Sequence, residues 1–303
     1  MAGKILIAGG TGLIGTRLSE MLIDNGYDVA HLTRNPVPFS KYKSFKWDVK
    51  TGYIDENAIT YSDYIINLAG ANVAGAKWTD ERKKEILDSR VKSSALLFEG
   101  LRSAPNHVKA FLSMSAVGIY GDAGTRLVSE ESVYGDDFLA EVCKQWEKAA
   151  WHIHDLSIRT VIFRTGIVLS DKGGALPQMA KPVKLLAGAP LGSGKQFMSW
   201  IHIDDLCRLF IKAIEEPQFN GVYNAVAPNP VTNEDFTKNL AEAMGRWVLL
   251  PKVPAFALNL VLGEMSEVVL GGARVSADKV TKKGFTFEFN YIDEALESFY
   301  RHD

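Results

Sequence analysis
Short apolar runs with little polar alternation recur through the first half of the chain. They are KILIAG (4–9), DVAHLTR (28–34), SFKWDV (44–49), DYIINLAG (63–70), KAFLSMSA (109–116) and RTVIFRTG (159–166). Strands built of Ile, Val, Leu and Phe in this way are buried on both faces, as in a parallel sheet covered by helices. Between them lie patterns of helical period: GTRLSEMLIDNG, TDERKKEILDSRVKSSALLFEGLRS and GDDFLAEVCKQWEKAA (135–150). In the last of these Phe138, Val142 and Trp146 share one helix face. The alternation predicts an α/β protein.

Beyond residue 166 the pattern changes. Gly and Pro cluster in DKGGALPQ and LAGAPLGSGKQ. A helix is expected in HIDDLCRLFIKAIEE, and one more strand in GVYNAVA (221–227). The tail reads as helical from TNEDFTKNLAEAMG through YIDEALESFY. The expected division is a nucleotide-binding sheet domain over 1–165 with about 200–227, and a smaller, mainly helical substrate-side domain over 166–199 and 228–303.

Composition adds mostly exclusions. The chain is 47% hydrophobic and 23% charged, as in ordinary globular proteins. A net charge of −2 gives no electrostatic case for nucleic acid or an anionic membrane. Cys143 and Cys207 are the only cysteines, too few for a disulfide framework or a Cys-based zinc site, and they suit a reducing compartment. The apolar start runs directly into a glycine-rich turn, unlike a signal peptide. The apolar stretch PAFALNLVLGEMSEVVLGG carries Glu264 and Glu267, which argues against a membrane span. The expectation is a soluble cytoplasmic protein, a monomer or a homodimer, that handles a small molecule and holds no metal.

The candidate chemistry starts at IAGGTGLIG. It fits G-x-G-x-x-G as Gly10, Gly12 and Gly15, and G-x-x-G-x-x-G as Gly9, Gly12 and Gly15. Glycines let the backbone turn tightly and approach a pyrophosphate, while the following helix presents free N–H groups and about half a positive charge. The whole turn, with Thr11, Leu13 and Ile14, is therefore expected to bind a dinucleotide. This makes the sheet a Rossmann-type doubly wound one. NAD sites usually carry a carboxylate about 20 residues past the turn. Here the second strand ends in Thr33 and Arg34. A guanidinium pairs with a ribose 2′-phosphate, at roughly 1.5–3 kcal/mol or about ten- to a hundredfold in affinity. NADP(H) is expected in preference to NAD. Asp48, at the end of the third strand, is either an acceptor for the adenine amino group or a turn aspartate.

Taken together, GGTGLIG, NLAG (67–70), FLSMSAVGIYG (111–121), FRTGIVL (163–169) and WIHIDDL (200–206) resemble the short-chain dehydrogenase/reductase superfamily in its extended, epimerase-like branch. KWTDERKKEILDSRV, PLGSGKQFMSWIHIDDL, GVYNAVAPNPVTN and ARVSADKVTKKGFTF resemble more closely an atypical subgroup, the YfcH-type epimerase family proteins with a C-terminal domain of unknown function. The resemblance covers essentially the whole chain. It implies that Asn67, Leu68, Ala69 and Gly70 line the nicotinamide side, with Asn67 and Ala69 near the cofactor ribose. It also implies that Ala116 or Ser115 lies near the ring, and that the superfamily's serine is Ser115 or, second, Ser113, which is also counted among the cofactor-binding residues.

The resemblance also implies a Tyr-x-x-x-Lys pair on the helix at 135–150, which moves the proton accompanying hydride transfer. Matching the superfamily's usual glutamate to Glu147 puts Leu139 at the tyrosine position and Cys143 at the lysine position. A slip of one residue either way finds no tyrosine. The chain's one Y-x-x-x-K, Tyr42–Lys46, falls between the second and third strands, on the adenosine side. Losing a general acid typically forfeits a factor of about 10²–10⁴. Ser115 and Tyr120 are the candidate replacements. Lys144 reads as surface. His202 is a possible acid near neutrality or a hydrogen-bond partner of Asp204 or Asp205. His152 and His154 point to different sides of a helix. Trp78, Arg90, Gln196, Trp200 and His202 fall on the presumed substrate side. GSGK (192–195) fails the P-loop spacing, though its amides could hold an anion. Two functions fit: an oxidoreductase or epimerase-like enzyme on a small carbonyl or hydroxyl compound, and a non-catalytic NADP(H)-binding sensor or scaffold.

Overall fold
The structure, a computed structural model, describes residues 3–37 and 40–301. Strand β1 (Lys4–Ala8) leads through the glycine turn into α1 (Leu13–Asp24). Then come β2 (Asp28–Thr33), β3 (Lys43–Asp48), β4 (Tyr53–Ile54), α2 (Glu56–Tyr61), β5 (Tyr64–Asn67), α3 (Asp80–Ser103) and β6 (Ala110–Ala116). A 3-10 turn at Val117–Tyr120 precedes β7 (Leu127–Val128), α4 (Phe138–Trp151), β8 (Arg159–Thr165), β9 (Ile167–Leu169) and α5 (Ala175–Lys184). Next are β10 (Phe197–Met198), β11 (Trp200–His202), α6 (Ile203–Glu215), β12 (Gly221–Ala225), β13 (Val231–Thr232) and α7 (Asn233–Ala243). The tail holds α8 (Ala255–Leu262), α9 (Glu267–Leu270), β14 (Arg274–Val275), α10 (Asp278–Lys282) and α11 (Ile292–Tyr300).

Eight strands form one sheet in the order β12-β8-β6-β5-β1-β2-β3-β4, parallel except for β4. Ile5, Leu6, Ile7 and Ala8 are all buried, as expected of a strand covered on both faces. From β1 the chain winds through β2 to β3 and β4, then returns to β5 on the other side of β1 and winds outward to β12. The winding therefore reverses between β1 and β5. Such a reversal opens a crevice beyond the carboxyl ends of the two strands, where ligands of these sheets bind. The glycine turn and the NLAG segment are the two lips of that crevice.

Two regions differ from the pattern. The Gly/Pro-rich stretch contains α5, which accommodates Pro182 within it without an N–H for the carbonyl four residues back. The tail is not continuously helical: it threads back as β14 to pair in parallel with β7. Ser199 ties it there, its hydroxyl donating to the Ala273 carbonyl (2.8 Å) and accepting from the Val275 N–H (3.0 Å). Ala273, Val275, Val280, Phe285 and Phe287 pack into the same apolar cluster as Ile5, Phe163 and Phe210 of the sheet and α6. α8 lies apart, with no buried residue. Among the described residues no helix is long and apolar enough to cross a membrane.

Candidate functional site
The turn after β1 needs its glycines for two reasons. Gly9 has φ +81°, a left-handed conformation that glycine adopts without penalty. The others allow close approach. A Cβ on Gly10 would sit 2.3 Å from the His31 ring, and one on Gly15 would sit 2.4 Å from the Gly9 carbonyl oxygen. His31 is fixed under the turn by Ser19 Oγ (2.8 Å) and by the Tyr42 ring (4.5 Å between centroids). Burial holds His31 below the usual imidazole range, so it is a neutral floor. A Cβ on Gly12 would meet only the Gly9 oxygen, at 3.3 Å, so this side of the turn is open. Thr11 is exposed and Leu13 and Ile14 are partly buried. Helix α1 has no side-chain cap at Gly12 and no acidic residue in its first turn. Elsewhere Thr79, Asp137 and Thr232 cap α3, α4 and α7. The α1 amides thus keep their capacity for an anion.

On the adenosine side, Thr33 Oγ1 accepts from the Asn35 N–H (3.3 Å). Arg34 beside it is exposed and makes no ion pair among the described residues. Asp48 Oδ1 accepts from the Lys50 N–H (2.9 Å), closing the turn after β3, so the turn role is the one its contacts express. Tyr42, on the His31 ring, and Lys46, over the Tyr53 ring, lie on this side too.

At the other lip, Asn67 is fully buried. Its Nδ2 donates to Ser93 Oγ (3.3 Å) and Ser94 Oγ (3.2 Å), and its Oδ1 accepts from the Ala69 N–H (3.2 Å). Its side chain therefore shapes the loop instead of reaching a ligand, while Leu68, Ala69 and Gly70 present backbone. Arg90 of α3 lies against this loop: a Cβ on Gly70 would be 3.0 Å from its guanidinium carbon.

Leu139 and Cys143 occupy the face of α4 that packs under the 3-10 turn after β6. Cβ positions on Gly118 would lie 3.4 Å from Leu139 and 3.9 Å from the Cys143 sulfur. Burial pushes the Cys143 thiol up to about 12, so it is no thiolate at neutral pH. Ser115 and Tyr120 sit in a buried hydrogen-bond network. Ser115 has 0% exposure and donates to Glu147 Oε1 (2.7 Å). Glu147 also accepts a fork from Arg164, Nε to Oε1 (2.8 Å) and Nη2 to Oε2 (2.9 Å). Arg164 Nη1 donates to Tyr120 Oη (3.0 Å), and Tyr120 Oη donates to Asn224 Oδ1 (2.6 Å). Burial is the main cause that pushes the Tyr120 hydroxyl up to about 12, despite the adjacent Arg164. Both hydroxyls are buried and hydrogen-bonded within this network. Ser113 is likewise buried, its hydroxyl on the Met114 carbonyl (3.0 Å). Burial works against charge on Arg164, but the Glu147 bonds outweigh it and raise its pKa. Arg164, Asn224 and Tyr134, whose hydroxyl accepts from Arg164 (2.9 Å), were not anticipated. The available signal was an arginine set late in the apolar run RTVIFRTG.

The remaining candidates separate. Trp78 packs edge-on against Phe138 (5.0 Å) beside Leu139 and Met265, with its indole N–H on the Val73 carbonyl (3.0 Å). Gln196 Nε2 donates to the Leu191 and Val269 carbonyls (3.0 and 2.9 Å), joining two loops. Trp200 is fully buried in another cluster, its N–H on the Asn229 carbonyl (3.1 Å). Of the two roles read for His202, the structure has the hydrogen bond with Asp204. Its Nδ1 accepts from the Asp204 N–H (3.1 Å), capping α6, and its ring is stacked by Phe289 and Phe299 at 3.8 and 4.6 Å. Burial takes its pKa well below the usual imidazole range, so it is not an acid near neutrality. Lys144 pairs with Glu141 (2.8 Å), His152 with Asp155 (3.2 Å), and His154 stacks on Trp151 (5.0 Å). In the GSGK turn the Gly194 and Lys195 amides bond internally.

Comparison with known proteins agrees with this geometry. The profile of the NAD dependent epimerase/dehydratase family matches residues 5–226, and that of a domain of unknown function (DUF1731) matches residues 253–299. The chain is 36% identical over 300 residues to the chloroplastic SDR39U1 homolog of Arabidopsis thaliana, an epimerase family protein, covering 97% of this chain and 86% of that one. It is 36% identical over 295 residues to epimerase family protein YfhF of Bacillus subtilis, covering 97% and 96%. The human epimerase family protein SDR39U1, solved with NADPH, superposes with a TM-score of 0.88 at 32% identity, over 99% of both chains.

Proposed function
The chain belongs to the NAD dependent epimerase/dehydratase family, in its extended short-chain dehydrogenase/reductase form with a DUF1731 tail, and from that premise we propose that it binds NADP(H) in preference to NAD. The reading continues that it acts as an atypical oxidoreductase or epimerase-like enzyme on a small carbonyl or hydroxyl compound, in the cytoplasm. The observation that carries it is the glycine cradle: Cβ atoms would fill it at Gly10 and Gly15, while Gly12 and the uncapped start of α1 face an open crevice. The residues fit a dinucleotide there. Arg34, exposed and unpaired among the described residues, would take the 2′-phosphate. The NADPH in the human relative supports the same choice. Residues 1–165 with 200–227 would carry the cofactor, and 166–199 with 228–303 would cover the substrate. A bound nicotinamide supplies or accepts a hydride. This chain's residues would orient the ring with the backbone of Leu68–Gly70 and exclude water with Leu139, Val142 and Trp78. With Leu139 and Cys143 at the tyrosine and lysine positions and Ser115 and Tyr120 sealed, the accompanying proton would come from water or from the substrate itself.

That same sealed network favours a second reading, a non-catalytic NADP(H)-binding sensor. One sequence of measurements separates the two. Nicotinamide fluorescence is titrated with NADPH and NADH on the wild type and on Arg34→Ala. Binding of NADPH at least about tenfold tighter, lost in the variant, supports the cofactor choice. Loss of NADPH absorbance with any member of a carbonyl panel then supports the enzyme; tight binding with flat absorbance across the panel supports the sensor. If neither nucleotide binds, both readings fall.

A further inference from the structure
Helix α8 is apolar on every side and has no buried residue. Its sequence, AFALNLVL, holds one polar residue, Asn259, and no charge falls between Val253 and Gly263. A helix of that composition is normally buried. Here Phe256, Leu260 and Val261 are 74%, 82% and 63% exposed. Both ends of the helix are nevertheless fixed. Ahead of it, the Val253 N–H donates to the Pro190 carbonyl (2.9 Å), and the Val253 carbonyl accepts from the Gly192 N–H (2.8 Å). Behind it, Glu264 pairs with Lys83 of α3, and Met265 packs against the cluster of Trp78, Ile86 and Val142. α8 is therefore a strap held between the loop at 190–192 and the starts of α3 and α4.

The strap leads to the crevice. Leu139, at the position of the superfamily's tyrosine, packs against the same cluster as Met265, together with Val73 and Phe138. All four are only partly buried, so an apolar surface runs from Leu139 through Met265 to α8. Polar groups along it are bonded to the chain itself. Gln196 joins two loops, and the Trp78 N–H is on the Val73 carbonyl. Lys252 and Lys83, at the two ends of the strap, pair with Glu234 and Glu264. A nucleotide diphosphate calls for free cations, whereas a hydrocarbon needs only apolar area. We propose that the substrate is a carbonyl or hydroxyl compound with a hydrocarbon chain, its reacting end beside Leu139 and its chain running past Met265 onto α8. The proposal rests on the enzyme reading above and names the substrate class for it. Continuity of the apolar surface with the nicotinamide side selects a small molecule over a second copy of the chain. A partner protein would cover Phe256 and Leu260 but has no call on Leu139.

The test needs no turnover. N-phenyl-1-naphthylamine, an uncharged apolar dye, is bound to the protein in the presence of NADP+ and followed by fluorescence. It is displaced with straight-chain primary alcohols from butanol to decanol, and with UDP-glucose. The same titrations are run on Leu139→Gln and on the double variant Phe256→Ser/Leu260→Ser, with thermal melts to establish that each is folded and a separate NADPH titration on each. The expected result is that affinity rises by about fourfold per added methylene and that UDP-glucose does not displace the dye. Both variants should weaken decanol by about tenfold or more, and the double variant should bind NADPH within about twofold of the wild type. A flat alcohol series, displacement by UDP-glucose as readily as by decanol, or full decanol affinity in both variants overturns this inference and leaves the cofactor reading standing. A wild type that sediments as a dimer, with a monomeric double variant of unchanged decanol affinity, also overturns it, since α8 then meets a second copy. Binding of the wild type to phosphatidylcholine vesicles without competition from decanol overturns it in favour of a lipid surface. Failure of the wild type to bind NADPH overturns this inference and the NADP(H) reading together.

Discussion

Arg164 and Glu147 form the most demanding contact in the molecule, a forked pair with the arginine 1% and the carboxylate 11% exposed. A buried pair of this kind contributes little net stability, but breaking it strands a charge at about 3–5 kcal/mol. Arg164→Leu and Glu147→Leu should each lower the unfolding free energy read from urea titration by that order, and the double substitution should cost much less than their sum. Additive losses would mean that the two do not act as a pair. Ser115→Ala should weaken stability by only about 1–2 kcal/mol and, if any turnover is found, leave its pH profile unmoved, because the hydroxyl is a spoke of this network. The glycine turn divides in the same way. Gly10→Ala drives a methyl into the His31 ring and should unfold or loosen the N-terminal half, whereas Gly12→Ala meets only one atom, at 3.3 Å. The second variant should melt near the wild type and lose nucleotide affinity; a folded Gly10→Ala with full affinity would contradict the packing argument. The glycine turn and the exposure of Arg34 were legible because turn geometry and charge are local properties. The burial of Ser115 and Tyr120 was not legible, because an unbroken apolar run does not mark its most enclosed positions: in β6 Ser113 and Ser115 are buried while Met114 and Ala116 are less so. Their partner Arg164 comes from another strand, which no spacing rule reveals.

At the level of elements, His202 joins two that are far apart in sequence. It caps α6 through Nδ1, bonds Ser298 of α11 through Nε2 (3.3 Å), and is stacked by Phe289 and Phe299. Burial lowers its pKa, and the nearby Arg17 acts the same way, while Asp204 and Asp171 oppose them. The unfolded chain therefore binds a proton near pH 6.5 that the folded chain refuses. The contribution is fully present above about pH 6.5 and is lost as pH falls toward the lowered folded value. His202→Asn retains a side chain able to cap α6 and carries no such linkage. Its melting temperature should be lower than the wild type's at pH 7.5, and the gap should narrow as pH falls from about 6.5 to 5. A gap that is constant across that window would refute the assignment. The capping itself could be anticipated from His202 preceding Asp204 and Asp205, and the strands of the sheet were visible from their unbroken apolar runs. Helix α5 and strand β14 were not. The first is hidden by its proline and flanking glycines, and the second owes its strand to pairing with β7, a contact made at 147 residues' separation (Leu127 to Arg274).

For the molecule as a whole, the question is whether the tail is an appendage or part of one cooperative unit. Its apolar residues argue for the unit. Ala273, Val275, Val280, Phe285 and Phe287 share a cluster with Ile5 and Ile7 of β1, Leu112 of β6, Phe163 of β8 and Phe210 of α6. The polar ties run the same way. Asp205, fully buried on α6, accepts from the Glu288 and Phe289 N–H groups (2.9 and 3.0 Å), and Asn224 of β12 donates to the Ser276 carbonyl (3.2 Å). Removing the tail would expose the sheet's central cluster and leave a buried carboxylate with only its Arg208 donor, so the sheet cannot keep its stability when the tail opens. Urea unfolding should therefore be one transition, coincident by far-UV circular dichroism and tryptophan fluorescence. Phe287→Ala should move both signals together by about 3–5 kcal/mol, as a large-to-small change in a shared core does. NADPH at about 100 times its Kd should shift the same single transition upward by about 2.7 kcal/mol of unfolding free energy, in the variant as in the wild type, because ligand linkage acts on whatever unit unfolds. Two separated transitions, with Phe287→Ala shifting one and NADPH the other, would show that the tail and the nucleotide crevice unfold independently. In that case coupling between a substrate-side cover and the cofactor would have to come from the ligand rather than from the fold.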